Sequence, residues 1–270
     1  MASWLVVGCG YTGSALARRL VGEGEDVRVT RRGAEAAAET AAKLGVAASA
    51  LDLSVTAPAP APATPVDYVV CLAPPGADPA AEMRRLLAIG ARKVVYVSST
   101  GVYPPAAGAW VDESWPIAPA TASGHARAAA EAALAEHATV SWVALRAAGI
   151  YGPGRGLVER IRAGTYRIVG DGRSHVSRIH VEDLVTAIIA AATRDVTGAV
   201  NVADDDPAPI GEVADALAAS LGLPPPPRTP ASAVDPEIAG MLTADRRIAN
   251  RRLRDELGVV LRYPSWRDAR

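Results

Sequence analysis

Phenylalanine is absent from this 270-residue chain while alanine is abundant, a pattern that reads as genome composition bias rather than chemistry. Cysteine is nearly absent as well. Cys9 and Cys71, each inside an apolar run, make neither a disulfide framework nor a zinc site, so a reducing, cytoplasmic location is expected. No run reaches the roughly 20 apolar residues of a membrane-spanning helix. The apolar start SWLVVGCGYTGSALA lacks a basic leader and is broken by Gly8, Gly10 and Gly13, which argues against a signal peptide. No charge of one sign dominates: 28 basic against 29 acidic residues leave no pull toward nucleic acid or a membrane surface. Hydrophobic residues make up 50% of the chain, enough for the core of one large domain or a domain with a small lobe.

Short β-branched or aromatic runs at 3–8, 26–30, 66–72, 93–98 and 140–145 predict buried strands. Helical stretches near 12–22, 34–44, 79–90 and 123–137 lie between them. Strand alternating with helix predicts an α/β fold, a doubly wound parallel sheet covered on both faces. The segment TAPAPAPATPV, 56–66, is predicted to be an extended surface connector, because proline donates no amide hydrogen and disfavours helix before it. After residue 150 the pattern changes to glycine-broken pieces, a strong helix at 181–193, a strand near 198–202, and helices around 209–221 and 245–257. The proline run LPPPPRTP, 223–230, separates the last two. The expected division is 1–150 for the sheet domain and 151–270 for a smaller C-terminal lobe, with 178–202 returning to the sheet.

Gly8, Gly10 and Gly13 form a G-x-G-x-x-G spacing between the first strand and first helix. That arrangement suits a tight turn, a pyrophosphate close to the backbone, and a helix whose free amides and positive end face the phosphate. Where an NAD-specific chain carries an acidic residue at the end of the second strand, this one has Thr30, Arg31 and Arg32. Guanidinium groups pair with a phosphate, so NADP(H) is favoured over NAD(H). Asp52, in ALDLS after a third strand, suits either an adenine contact or a turn cap.

The glycine fingerprint, Asp52, VVYVSSTGVYP (94–104), LRAAGIYGPGR (145–155), RIHVEDLVTAI (178–188) and NVADDDPAPIGEVADAL (201–217) together resemble an extended short-chain dehydrogenase/reductase. The likeness is to the NAD(P)-dependent epimerase/dehydratase group, in its atypical bacterial branch. It implies a Rossmann domain holding the cofactor and a C-terminal lobe closing over a small-molecule substrate. It further implies a cofactor site that includes Tyr11, Thr12, Leu53, Leu72, Ala73, Pro74 and Ser98. A homodimer through the Rossmann helices is compatible with the likeness, although no residue requires it.

Such enzymes orient the reacting oxygen with a Ser or Thr, here Ser99, and carry a Tyr-x-x-x-Lys pair on the following helix. Alignment of R-A-A-A-E with the usual K-x-x-x-E puts Arg127 at the lysine and Ser123 at the tyrosine. Arginine keeps a cation near the nicotinamide ribose, but serine cannot replace a phenol as proton donor. Tyr103 and His125 are the candidate substitutes, each with a bland alternative: packing for Tyr103, a solvated helix start for His125.

Two nucleotide-sugar contacts of the resembled enzymes are also replaced, by Gly149 and Val176. Arg155, Arg173 and Arg178 flank the same region, as anion ligands or as plain surface charges. His175 and His180 lack companion metal ligands, and Asp204, Asp205 and Asp206 read as a turn and helix cap. Two functions follow. One is an NADP-dependent oxidoreductase or epimerase/dehydratase-like enzyme using Ser99, Arg127 and either Tyr103 or His125. The other is a catalytically silent NADP-binding regulatory or scaffold protein.

Overall fold

Seven parallel strands form the central sheet of the computed structural model, which describes residues 1–55 and 65–268. Six are strands expected from the sequence: β1 (Ser3–Val7), β2 (Asp26–Arg31), β4 (Val66–Cys71), β5 (Ala91–Ser99), Ser141–Ala147 and Gly198–Val202. The strand β3 (Ala47–Ala50) completes one edge beyond β2, and Gly198–Val202 completes the other beside Ser141–Ala147. The sequence AASA of β3 has no β-branched residue; its place is set by pairing with Arg28–Arg31. From Gly198 the order across the sheet is Gly198–Val202, Ser141–Ala147, β5, β4, β1, β2, β3. Most of the proline-rich connector, residues 56–64, lies outside the described residues.

Continuous apolar runs arise because both sheet faces are covered. Val6, Val70, Val95 and Leu145 meet Leu16 and Leu20 of helix α1 (Tyr11–Gly22) and Leu184 and Ile188 of the Val181–Thr193 helix. Leu5, Val69, Val94 and Ala144 face the opposite layer, where Met83 and Leu86 of helix α3 (Pro79–Leu87) and Leu134 of helix α4 (Ala122–His137) pack. Helix α2 (Ala34–Leu44) crosses from β2 to β3. Among the described residues no helix is long and apolar enough to cross a membrane.

Two expectations for the second half need correction, and one helix was not expected. Within 178–202 only Gly198–Val202 joins the central sheet, since Arg178–His180 pairs with Gly149–Tyr151 in a separate ladder. The helix expected at 245–257 shrinks to Arg251–Asp255, because Arg247–Ile248 is a strand paired with Trp110–Val111. Before it Asp245 adopts φ +47, a left-handed conformation that a short polar side chain tolerates. A helix that composition did not suggest, Pro236–Leu242, follows the proline run.

Candidate active site

A cleft of about 760 Å³ runs along the C-terminal ends of the central strands, from the glycine turn to residues 241–248. Gly8 opens it with φ +81, and a Cβ there would lie 2.7 Å from the amide nitrogen of Ala73. Only glycine lets β1 turn this close to the strand beside it. The N-cap of α1 is Gly10, which brings no side chain to satisfy the first amides of the helix. Those amides and the positive end of α1 are therefore available to an anion in the cleft.

At the end of β2, Arg31 crosses the turn and donates from Nη1 to the Cys9 carbonyl at 2.6 Å. Arg31, Arg32 and Asp52 all line the cleft, together with Tyr11, Thr12, Gly13, Leu53, Leu72, Ala73 and Pro74. Thr30 does not. It is buried behind the turn, where its hydroxyl accepts from Gly8 N at 3.4 Å and its carbonyl accepts from Cys9 N at 2.8 Å. Its part is to brace the glycine loop, a correction to the sequence reading. Asp52 lines the wall while its carboxylate accepts from the Ser54 amide at 2.9 Å and the Ser54 hydroxyl at 2.7 Å, the turn-cap arrangement. The Ser54 hydroxyl and amide hold that carboxylate below its usual range.

Ser99 ends β5 on the cleft wall and accepts from Gly101 N at 3.0 Å. Helix α4 comes up against this loop because residue 124 is glycine: a Cβ there would meet the Gly101 carbonyl at 2.4 Å. The first turn of α4 thereby reaches the same wall. Arg127 lines it, donating to the Val97 carbonyl at 2.9 Å, and Ser123 lines it with its hydroxyl given to Glu237 of the Pro236–Leu242 helix. Glu237 also accepts from Ala122 N at 2.9 Å and Ser123 N at 3.1 Å. Ser98 touches the cleft, although its hydroxyl turns inward to Glu131.

Neither proposed substitute for the tyrosine reaches the cleft wall. Tyr103 is fully buried; its hydroxyl donates to Asn201 Oδ1 at 2.8 Å and accepts from Arg146 Nη1 at 2.8 Å. Burial raises its pKa to about 12 even with Arg146 alongside. Arg146 also grips Glu131 of α4, Nη2 to Oε2 at 2.7 Å and Nε to Oε2 at 3.1 Å. Tyr103 is thus a strut in a buried network joining the loop after β5, helix α4 and the Gly198–Val202 strand. His125 points to solvent on α4 and is not part of the wall. Residues two apart on a helix face different ways, and Ser123 is the one that lines the cleft.

The flanking polar residues also separate. Arg155 lines the cleft, Arg173 is solvated with its side chain 91% exposed, and Arg178 is buried with Asp204 close by. Asp205 and Asp206 bind Asn250 and Ser265 rather than capping the next helix, whose N-cap is Pro209. His175 lines the cleft, with Nδ1 2.8 Å from Asp245 and Nε2 3.1 Å from Arg247 Nη2. Arginine only donates, so the ring proton sits on Nδ1, facing Asp245. No cluster of three metal-ligating side chains occurs among the described residues.

Residues that sequence reasoning missed are Glu82, whose carboxylate accepts the Gly76 amide at 2.9 Å, and Met241, Leu242 and Arg246. Arg246 sat in a basic stretch that looks like a solvated helix face, and only the strand at 247–248 turns it inward.

Known proteins resemble this chain in sequence or in fold. A 3-diazoavenalumate denitrifying reductase from a Streptomyces species is 36% identical over 197 residues, 67% of this chain; the chain spans 64% of that relative's length. A functionally unknown conserved protein from Silicibacter pomeroyi superposes with a TM-score of 0.86 at 30% identity, over 100% of this chain and 96% of the other. The human epimerase family protein SDR39U1, solved with NADPH, gives 0.78 at 20% identity over 98% and 97% of the two chains, a likeness of fold alone. MoeE5, solved with UDP-glucuronic acid and NAD, gives 0.77 at 24% identity over 99% and 96%, again a likeness of fold. The family model that matches here covers residues 4–203, and the chain belongs to the NAD dependent epimerase/dehydratase family.

Proposed function

We propose that this protein is an NADP-dependent oxidoreductase or epimerase/dehydratase-like enzyme acting on a small carbonyl or hydroxyl compound without a Tyr-x-x-x-Lys pair. The observation that carries the reading is the single cleft joining an uncapped helix N-terminus and Arg31 at one end to Ser99 and Arg127 at the other. The cradle fits a dinucleotide. The amides of α1 suit the pyrophosphate, Arg31 and Arg32 a ribose 2′-phosphate, and Asp52 the adenosine side. A bound nicotinamide cofactor supplies or accepts hydride. Ser99 then holds the reacting oxygen by a hydrogen bond and stabilises charge developing there, and Arg127 adds a permanent cation at the same wall. Ser123 is committed to Glu237, so protons exchange with solvent rather than with a phenol. The Streptomyces relative, a reductase by name, supports hydride transfer toward the substrate.

The second reading, an NADP-binding regulatory or scaffold protein, draws on the same Ser123–Glu237 contact and on the absence of Tyr103 and His125 from the wall. Titration with NADPH and NADH, followed by carbonyl and sugar-nucleotide panels monitored by NADPH absorbance, tests both. Preferential NADPH binding with turnover supports the enzyme. Binding without turnover on any panel member supports the regulator.

A further inference from the structure

Arg246 is one of the arginines of the cleft wall that no carboxylate pairs with. Its Nη1 donates to the main-chain carbonyls of Tyr103 and Pro104, in the loop that begins with Ser99. Among the described residues, none of its hydrogen bonds uses Nε or Nη2. The carboxylates nearby are engaged elsewhere: Asp245 accepts from the His175 amide at 2.7 Å and meets its Nδ1 at 2.8 Å, and Glu237 caps α4. The two carboxylates of the wall itself, Asp52 and Glu82, are satisfied by Ser54 and Gly76 at the cofactor end. Arg127 and Arg246 therefore line the wall with no carboxylate of the cleft paired to either, while Arg155 stacks over Tyr11 at the glycine-loop end. Burial lowers the Arg246 pKa to about 10, the mark of a cation removed from water with only neutral carbonyls in compensation.

We propose that Arg246 is the anchor for a carboxylate on the substrate, which makes the substrate class of this enzyme a small organic acid; this rests on the functional reading above. A partly desolvated guanidinium with a free edge is matched in shape by a carboxylate, and its desolvation cost is offset when the anion arrives. A nucleotide-sugar diphosphate fits less well. Positions 149 and 176, where the sequence puts Gly and Val in place of the polar contacts for that group, both line the cleft and offer no side-chain donor. Tethering of Arg246 to the Tyr103 and Pro104 carbonyls fixes the anchor to the loop that carries Ser99. Distance between acid group and reacting carbon is set by that loop.

The test uses the full chain with and without saturating NADPH, and calorimetric titration with benzoate, cinnamate and pyruvate, each against its neutral amide, plus UDP-glucose. At least one carboxylate is expected to bind about tenfold or more tighter than its amide. Arg246→Gln should bring that pair within about twofold, and Arg246→Lys should retain part of the preference. Both variants should keep wild-type NADPH affinity, which verifies that they fold. The proposal is overturned if no carboxylate outbinds its amide, if the preference survives Arg246→Gln, or if UDP-glucose binds tightly and is indifferent to that substitution. A wild-type protein that binds no NADPH would instead sink the cofactor reading, while the carboxylate comparison without NADPH still decides the anchor.

Discussion

Arg146 donates to the hydroxyl of Tyr103 at 2.8 Å, and that contact ties Tyr103 into a buried network behind the cleft wall. Tyr103→Phe should leave NADPH binding and turnover per folded molecule near wild type. It should cost about 1–3 kcal/mol of stability, because Arg146 Nη1 and Asn201 Oδ1 lose a buried partner. Glu131→Ala should cost more, about 3–5 kcal/mol, by leaving the Arg146 cation buried without its anion. Urea melts with activity assays on the same samples check both; a Tyr103→Phe protein of unchanged stability and no turnover would contradict the assignment.

Ser99 and Ser123 both line the cleft, yet they should respond differently to removal. Ser99→Ala is expected to lower kcat about 10²–10³-fold, the usual effect of deleting one donor to a developing oxyanion. Ser123→Ala should change kcat little, since its hydroxyl serves Glu237. Steady-state kinetics on one substrate, with melting curves for both variants, separates these outcomes.

Cofactor preference is expected to reside in Arg31 and Arg32. Wild-type protein should bind NADPH tighter than NADH, and Arg31→Ala or Arg32→Ala should erase about tenfold or more of that difference. Fluorescence titration with both nucleotides measures it. Equal affinities in the wild type would remove the basis for the NADP assignment.

His180 gives a pH dependence with a definite sign. It is buried, its Nδ1 accepts from Glu182 N at 3.3 Å at the start of the Val181–Thr193 helix, and desolvation lowers its pKa below 6.5. Unfolded chain takes up a proton near pH 6.5 that the folded chain refuses. Stability from this group is therefore complete above that pH and is lost as pH falls through the folded value. His180→Gln should flatten the acid limb of the stability profile, by at most about 1.4 kcal/mol per pH unit. An acid limb identical to wild type would show that other groups control it.

Much of this was legible in the chain because it is local. Gly8, Gly10 and Gly13 mark the turn, and the alternation of apolar runs with helices marks the layers, since each signal lies within a few residues of the structure it specifies. Tyr103 was ambiguous because its partners Arg146 and Asn201 lie far along the chain and meet it only once Ser141–Ala147 and Gly198–Val202 flank β5. Arg246 was hidden for a related reason. Its orientation depends on the left-handed Asp245 and on a two-residue strand, neither of which leaves a periodic pattern. The proline-rich segment shows the opposite limit, because residues 56–64 lie outside the described residues.

The most direct test of hydride chemistry in this cleft is a crystal structure with NADPH bound. The expected density puts the 2′-phosphate on Arg31 and Arg32, the pyrophosphate on the amides of α1, and the nicotinamide C4 facing the Ser99 hydroxyl with Arg246 across the substrate space. A nucleotide lying elsewhere, or a nicotinamide turned away from Ser99, would contradict it.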